Sequence, residues 1–155
     1  MNYDSRNDTM LHVMSVKKKL SKVIEELSQR QIGHDQSKLN EPEKPIFDEY
    51  TPKLKNTTYG SDEYNQYLKE MQVALKHHYA NNRHHPEHFE DGIEGMNLID
   101  IIEMFCDWLA ATERHNDGDI FNSIIHNQNR FGYNDQLKSV FINTAVWFEL
   151  IDNSS

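Results

Sequence analysis

Cysteine is almost missing from this chain, in which Cys106 is the only one. A single cysteine excludes an internal disulfide and any zinc site built from several thiolates. The sequence also has no apolar run near the roughly 20 residues that a membrane-spanning helix needs, and its mean hydropathy is −0.82. The opening residues, MNYDSRNDTM, lack the apolar stretch of a signal peptide. These absences predict a soluble cytoplasmic protein with no membrane-bound part.

The chain has fewer basic than acidic residues. The sequence has 16 lysines and arginines against 25 aspartates and glutamates, which gives a net charge of −9 with histidine neutral. A protein that binds a long phosphate backbone needs the opposite sign, so long nucleic acids are poor partners. A small anionic substrate stays compatible with this charge, because bound divalent cations invert the local sign.

Glycine and proline are also scarce, at six and four of 155 residues, and no repetitive or Gly/Ser-rich segment interrupts the chain. This length and composition predict one domain with a real core. The polar ends, residues 1–8 and 152–155, are expected to be flexible. The domain is therefore expected to cover residues 9–151.

The spacing of the apolar residues predicts an all-α fold, because they recur at intervals of three and four rather than alternating. Thr9, Ser61 and Asn97 are suitable N-caps. We expect a long loop over residues 51–64. The expected helices cover residues 9–30, a short stretch from 34 broken near Pro42 and Pro45, 62–81, 98–114, 119–129 and 135–151.

The helix expected at 98–114 is apolar on most sides, yet Asp100, Glu103 and Asp107 share one of its faces. A helix of this kind is normally buried, and a buried carboxylate needs a cation or hydrogen bonds to compensate it. A metal ion at Asp107 would satisfy this need. Two alternatives explain the carboxylates equally well: they form a narrow stripe that faces solvent, or Asp107 makes a salt bridge to Arg114.

Five of the nine histidines lie between residues 77 and 88. His12 and His78 fall near the apolar faces of their helices, where a lone histidine is usually an ordinary core residue. Together with the adjacent His34-Asp35 and with Asp107, they supply the imidazole and carboxylate ligands typical of zinc, manganese or iron sites. Lys38, one turn after His34, is placed to hold a phosphate oxygen, or else is an ordinary surface lysine.

The order His12, His34-Asp35, Asp107 in an all-α chain resembles the H…HD…D motif of the HD superfamily of metal-dependent phosphohydrolases. The stretch "HDQSK" is similar to the HDxxK variant of that motif. More narrowly, "HDQSKLNEPE", "YGSDEY", "HHPEH" and "EMFCDWLAAT" resemble an uncharacterised family of bacteria and their phages, over nearly the whole chain. The resemblance implies an HD-domain-like helical bundle.

The resemblance also implies a site. A divalent ion (Mn, Fe, Zn, Co, Ni or Mg) would be held by His12, His34, Asp35 and Asp107, and a second ion would take its ligands from His78, His84 and His85. Asp35 would orient the attacking water on a small phosphate ester, such as a nucleotide. Glu103 would fix the tautomer of a ligand histidine. The cationic groups expected to bind the substrate are Arg30, Lys38, Arg83 and Arg114.

Two rival interpretations stay open. Some HD-superfamily proteins hold two irons and perform oxygenation, and the surplus of histidines permits this chemistry. Alternatively, the protein is not an enzyme and binds a nucleotide or a protein partner, with a structural metal. Tyr59, Tyr64 and Tyr79 can stack on a base or simply pack in the core. The side chains that would form a partner or homodimer face are Trp147, Phe148, Leu150 and Ile151.

Overall fold

The computed structural model describes residues 3–58, 61–113 and 118–148. It divides the chain into two compact units, Met1–His34 and Asp35–Ser155. Within the described residues every regular element is helical, so the all-α prediction is confirmed. No helix in these residues is both long enough and apolar enough to cross a bilayer. The single domain expected over 9–151 stays a prediction, because the structure separates the first helix as a unit.

The first unit consists of one continuous helix, α1, which runs from Arg6 to Gly33. The expected N-cap at Thr9 is wrong. Thr9 lies inside the helix, and both its backbone N–H and its hydroxyl donate to the carbonyl oxygen of Ser5, each at 3.0 Å. Ser5 is the N-cap residue, so the helix begins three residues earlier than expected and also ends three residues later.

The second unit contains six α-helices in its described part. A 3₁₀ turn, Gln36–Leu39, opens the unit, and further 3₁₀ turns lie at Pro86–His88 and Gly92–Gly95. The α-helices are α2 (Glu43–Lys55), α3 (Asp62–Glu70), α4 (Gln72–Asn81), α5 (Leu98–Thr112), α6 (Ile120–Phe131) and α7 (Asp135–Trp147).

The prolines act differently from the sequence-based expectation. Pro45 lies in the first turn of α2, where a missing backbone N–H costs nothing. The helix then continues through Pro52 to Lys55, so the first part of the expected loop over 51–64 is helical. The helix expected over 62–81 is divided at Met71, which ends α3 and begins α4.

Two of the expected caps are confirmed. The Ser61 hydroxyl accepts a hydrogen bond from the backbone N–H of Tyr64 at 3.1 Å. The Asn97 side chain accepts from the backbone N–H groups of Ile99 and Asp100, while the Asp100 carboxylate accepts from the Asn97 N–H. This reciprocal pair fixes where α5 begins.

An aromatic core joins α5, α6 and α7. The ring of Phe141 stacks on Phe105 with centroids 5.0 Å apart, and it meets Trp108 and Tyr133 edge-on at 5.4 Å each. Phe141 is 2% exposed. The other buried members of this core are Met104, Ile120, Ile124 and Ala145.

Truncating the centre of this core should destabilise the protein strongly. Phe141→Ala removes a ring that contacts three other rings, and we expect the free energy of unfolding to fall by about 3–5 kcal/mol. Trp147→Ala is the control on the same helix, because Trp147 is 84% exposed and should change stability by about 0.5 kcal/mol or less. Urea denaturation followed by circular dichroism measures both. Equal losses for the two variants would contradict the assignment of this core.

Candidate metal centre

Three histidines and one aspartate of the second unit converge on one point. His78 lies near the end of α4, His84 and His85 follow in the connection after it, and Asp35 opens the unit. The Nε2 atom of His78 lies 2.9 Å from Nε2 of His85 and 3.3 Å from Oδ1 of Asp35. The Nε2 atom of His84 lies 3.5 Å from the same Asp35 oxygen. All four donor atoms lie within 4.8 Å of one another.

These separations match the geometry around a single ion. Two ligand atoms that each lie about 2.1 Å from a metal, at angles between octahedral and tetrahedral, are about 3.0–3.4 Å apart. The three short separations, 2.9, 3.3 and 3.5 Å, bracket this interval. The cluster therefore has the dimensions of a divalent-metal site of the histidine and carboxylate type.

The backbone at Asp35 adopts an uncommon conformation, with φ of 56° in the left-handed region. Aspartate and asparagine tolerate this region better than most residues. The conformation follows directly on the end of α1 and precedes the 3₁₀ turn Gln36–Leu39. It places the Asp35 side chain, which is 20% exposed, beside His78 and His84.

Helix α5 supplies carboxylates to His84, whose side chain is 1% exposed. The Nδ1 atom of His84 lies 3.3 Å from Oε1 of Glu103, and its Nε2 atom lies 4.0 Å from Oδ2 of Asp107. A carboxylate at Nδ1 holds the proton on that nitrogen and leaves Nε2 to face the cluster. Asp100, on the same face of α5, instead forms a bidentate salt bridge with Arg83, whose two N–H groups donate at 2.9 and 3.1 Å.

His85 is the fourth residue of the cluster and packs against aromatic rings. Its ring lies 4.1 Å from the ring of His84 and 5.1 Å from that of Tyr79, measured between centroids. Burial, followed by the positive charges of His84 and His78 when they are protonated, lowers the pKa of His85 to about 3. The imidazole is therefore neutral near pH 7 and has a nitrogen available for a cation.

Lys38 contacts the same aspartate from the opposite side. Its ammonium donates to Oδ2 of Asp35 at 2.6 Å and lies 5.4 Å from the centre of the Phe47 ring. Asp35 thus presents one oxygen to the histidines and the other to a cationic side chain. An anion bound at the cluster would meet the ammonium of Lys38.

The ligand set expected for the first ion needs correction at His12. His12 and His34 belong to one unbroken helix, α1 with its C-cap. At a rise of about 1.5 Å per residue they lie about 30 Å apart along the helix axis. Two imidazoles at that distance cannot bind the same ion within one chain. The helix expected over residues 9–30 already implies most of this separation, because the 18 residues from His12 to Arg30 rise about 27 Å. The ligand set came from the motif resemblance and not from helix geometry.

The other expected site residues are spread more widely. Arg83 is engaged with Asp100, and His88 contacts the backbone oxygen of Tyr79 at 2.8 Å from its Nδ1. Arg114 and Tyr59 lie outside the described residues, as do Leu150 and Ile151. The roles expected of His34 and Arg30 stay predictions.

Sequence reasoning missed Glu43, Ser37 and Asn82, which surround His78. Glu43 lies in the first turn of α2 and is fully buried. Its Oε2 atom is 2.9 Å from Nδ1 of His78, and its Oε1 atom is 2.7 Å from Nδ1 of His77. The motif "HDQSKLNEPE" contains two of these residues, but nothing in its spacing indicates which histidines they meet.

Comparison with known proteins identifies the family. A family model described as "Family of unknown function (DUF5662)" matches residues 1–150. The chain belongs to this family. No curated protein and no solved structure matches the chain significantly. The DUF5662 description names no activity, so the resemblance to the HD superfamily stays a prediction.

Metal binding should depend on the cluster and not on His12. Asp35→Asn keeps a residue that tolerates the left-handed backbone but removes the charge, and His84→Ala removes a ligand. We expect each to weaken zinc or cobalt binding more than about a hundredfold, because loss of an outer hydrogen-bond partner alone costs roughly 10- to 100-fold. Competition with a chelating dye measures the affinities.

His12→Ala is the matched control, since it removes an imidazole about 30 Å from His34 along the helix. Its metal affinity should equal that of the wild type. Circular dichroism confirms that each variant is folded. A loss for His12→Ala as large as that for His84→Ala would refute the ligand set described here.

Proposed function

We propose that this protein is a metal-dependent hydrolase of small phosphate esters, with a nucleotide as the most suitable substrate. The observation that supports it best is a chain of three short separations: Nε2 of His78 lies 2.9 Å from Nε2 of His85 and 3.3 Å from Oδ1 of Asp35, which lies 3.5 Å from Nε2 of His84. Within this cluster, His78, His84 and Asp35 supply the two histidines and one carboxylate that several hydrolytic zinc enzymes use, and such a set leaves a coordination position open.

The charges around the cluster favour a cation. Four carboxylates contact its histidines, namely Asp35, Glu43, Glu103 and Asp107. Carboxylates gathered around imidazoles attract a divalent ion, and imidazole ligands suit Zn, Fe or Ni better than calcium. When bound, such an ion would lower the pKa of a coordinated water to about 7 and would polarise a phosphoryl oxygen.

The side chains at the cluster have separate tasks in this reaction. Asp35 orients the attacking water through the oxygen that faces His78 and His84. The ammonium of Lys38, 2.6 Å from the other oxygen of Asp35, binds a non-bridging phosphate oxygen and offsets the charge that develops in the transition state. Asp107, whose Oδ2 atom is 4.0 Å from Nε2 of His84, would serve as a second proton acceptor for the water.

The whole-protein charge limits the substrate. At a net charge of −9 the protein repels extended polyanions. A nucleotide or another small ester carries few charges, which the ion and Lys38 can neutralise. A cytoplasmic location, where such substrates are abundant, fits the proposal.

One rival function is favoured by the same donor set. Two histidines and one carboxylate on one side of a metal also serve non-haem iron oxygenases, and the cluster offers that combination in His78, His84 and Asp35. Stoichiometric iron with visible absorption, and no phosphate release, would support this chemistry.

Phosphate release tests the proposal. The protein is stripped with a chelator, reloaded separately with Mn, Zn, Co and Fe, and assayed on p-nitrophenyl phosphate and a panel of nucleotides. We expect turnover by the wild type and none by Asp35→Asn. Lys38→Met should lower kcat by about 10- to 100-fold, the effect of losing a hydrogen bond to a charged group, worth about 1.5–3 kcal/mol.

Lys44→Met is the control, because the Lys44 ammonium pairs with Asp48 on the outer face of α2 and its loss removes the same charge. It should keep wild-type turnover. Metal binding without turnover of any ester would contradict the hydrolase and leave a metal-binding module. Equal activity in Lys38→Met and Lys44→Met would contradict the role given to Lys38.

A further inference from the structure

A buried carboxylate joins two adjacent histidines of α4. Glu43 is 0% exposed, and its two oxygens lie 2.7 Å from Nδ1 of His77 and 2.9 Å from Nδ1 of His78. The side chain of His77 is 40% exposed, whereas that of His78 is 2% exposed. Burying a carboxylate is costly unless hydrogen bonds compensate it. The buried carboxylate of Glu43 is therefore stabilised by the hydrogen-bond donors around it, and it fixes the orientation of their side chains.

The hydrogen atoms around His78 can be assigned by counting donors. The Asn82 amide has two protons, and it donates to the hydroxyl oxygen of Ser37 and to the backbone oxygen of His78, both at 2.8 Å. The Ser37 hydroxyl makes a hydrogen bond with Glu43, and its oxygen also lies 3.4 Å from Nδ1 of His78. The Asn82 amide has no proton left for Nδ1 of His78, 3.1 Å away.

Oε2 of Glu43 lies 2.9 Å from Nδ1 of His78. Because a carboxylate only accepts hydrogen bonds, Nδ1 of His78 carries the proton and donates it to Glu43. Its Nε2 atom then has a lone pair, and that atom lies 3.3 Å from Oδ1 of Asp35. The tautomer that binds a metal through Nε2 is thus selected by a group on the far side of the ring.

Three hydrogen-bonding side chains surround the buried Glu43 carboxylate, namely His77, Ser37 and His78. Their hydrogen bonds compensate its burial. An anion that accepts the Nδ1 proton makes the imidazole a stronger ligand than a neutral acceptor does.

We propose that Glu43 is a positioning residue of the metal centre, which selects His78 rather than its neighbour His77 as the ligand. Glu43 fixes the proton on Nδ1 of His78 and strengthens the bond that Nε2 makes to the ion. Glu43 holds both imidazole rings at Nδ1. The Nε2 atom of His78 then faces the cluster, whereas the partly exposed ring of His77 covers the Glu43 carboxylate on its solvent side. The inference rests on the proposed metal centre and deepens it.

The test compares Glu43→Gln with the wild type in the full chain. Glutamine has the same shape and keeps one acceptor oxygen, but it lacks the charge. We expect the affinity for Co²⁺ and Zn²⁺ to fall about 10- to 100-fold, and the visible absorption bands of the Co²⁺ form to shift. A purely structural role would leave those bands unchanged at saturating metal.

Two further variants sharpen the comparison. Glu49→Gln removes an equal charge from the outer face of the same helix, where Glu49 pairs with Lys53, and it should match the wild type in affinity and spectrum. Ser37→Ala removes one donor to the Glu43 carboxylate, and we expect a loss of about 2- to 10-fold in affinity.

The outcomes separate the two proposals. A wild-type protein that binds neither ion refutes the metal centre itself. Wild-type binding with equal affinity and spectrum in Glu43→Gln and Glu49→Gln refutes only the role of Glu43. If circular dichroism shows that Glu43→Gln does not fold, Ser37→Ala decides: a weakened affinity supports the inference, and an unchanged affinity overturns it.

Discussion

The site depends on the close approach of histidine nitrogens and a carboxylate oxygen, whose lone pairs face one another. His78 and His84 each have a carboxylate near Nδ1, so their Nε2 atoms face Oδ1 of Asp35 at 3.3 and 3.5 Å. A nitrogen lone pair and a carboxylate oxygen repel each other at such distances. The proposed metal ion, placed between them, would turn the repulsion into attraction.

The elements around the cluster can be understood as supports for it. Helix α2 brings Glu43 to one histidine, and α5 brings Glu103 to the other. The salt bridge between Arg83 and the buried Asp100 ties the chain just before His84 to the start of α5. This anchoring holds the candidate ligands by packing and hydrogen bonds, as a preorganised metal site would require.

The sequence predicted the elements better than it predicted the ligands. Helical periodicity and the caps at Ser61 and Asn97 are local signals, and the shared face of Glu103 and Asp107 follows from helix geometry alone. The contact between Glu43 and His78 links positions far apart in sequence, so no local pattern contains it. His12 was assigned from the resemblance to the H…HD…D motif, although one helix, Arg6–Gly33, holds it far from His34.

The most direct measurement is the position of a bound ion. Crystals of the zinc-loaded protein, measured at the zinc absorption edge, should give an anomalous peak about 2.0–2.2 Å from Nε2 of His78, Nε2 of His84 and Oδ1 of Asp35. A protein that carries stoichiometric zinc elsewhere, with these three atoms turned away from it, would contradict the metal centre described here.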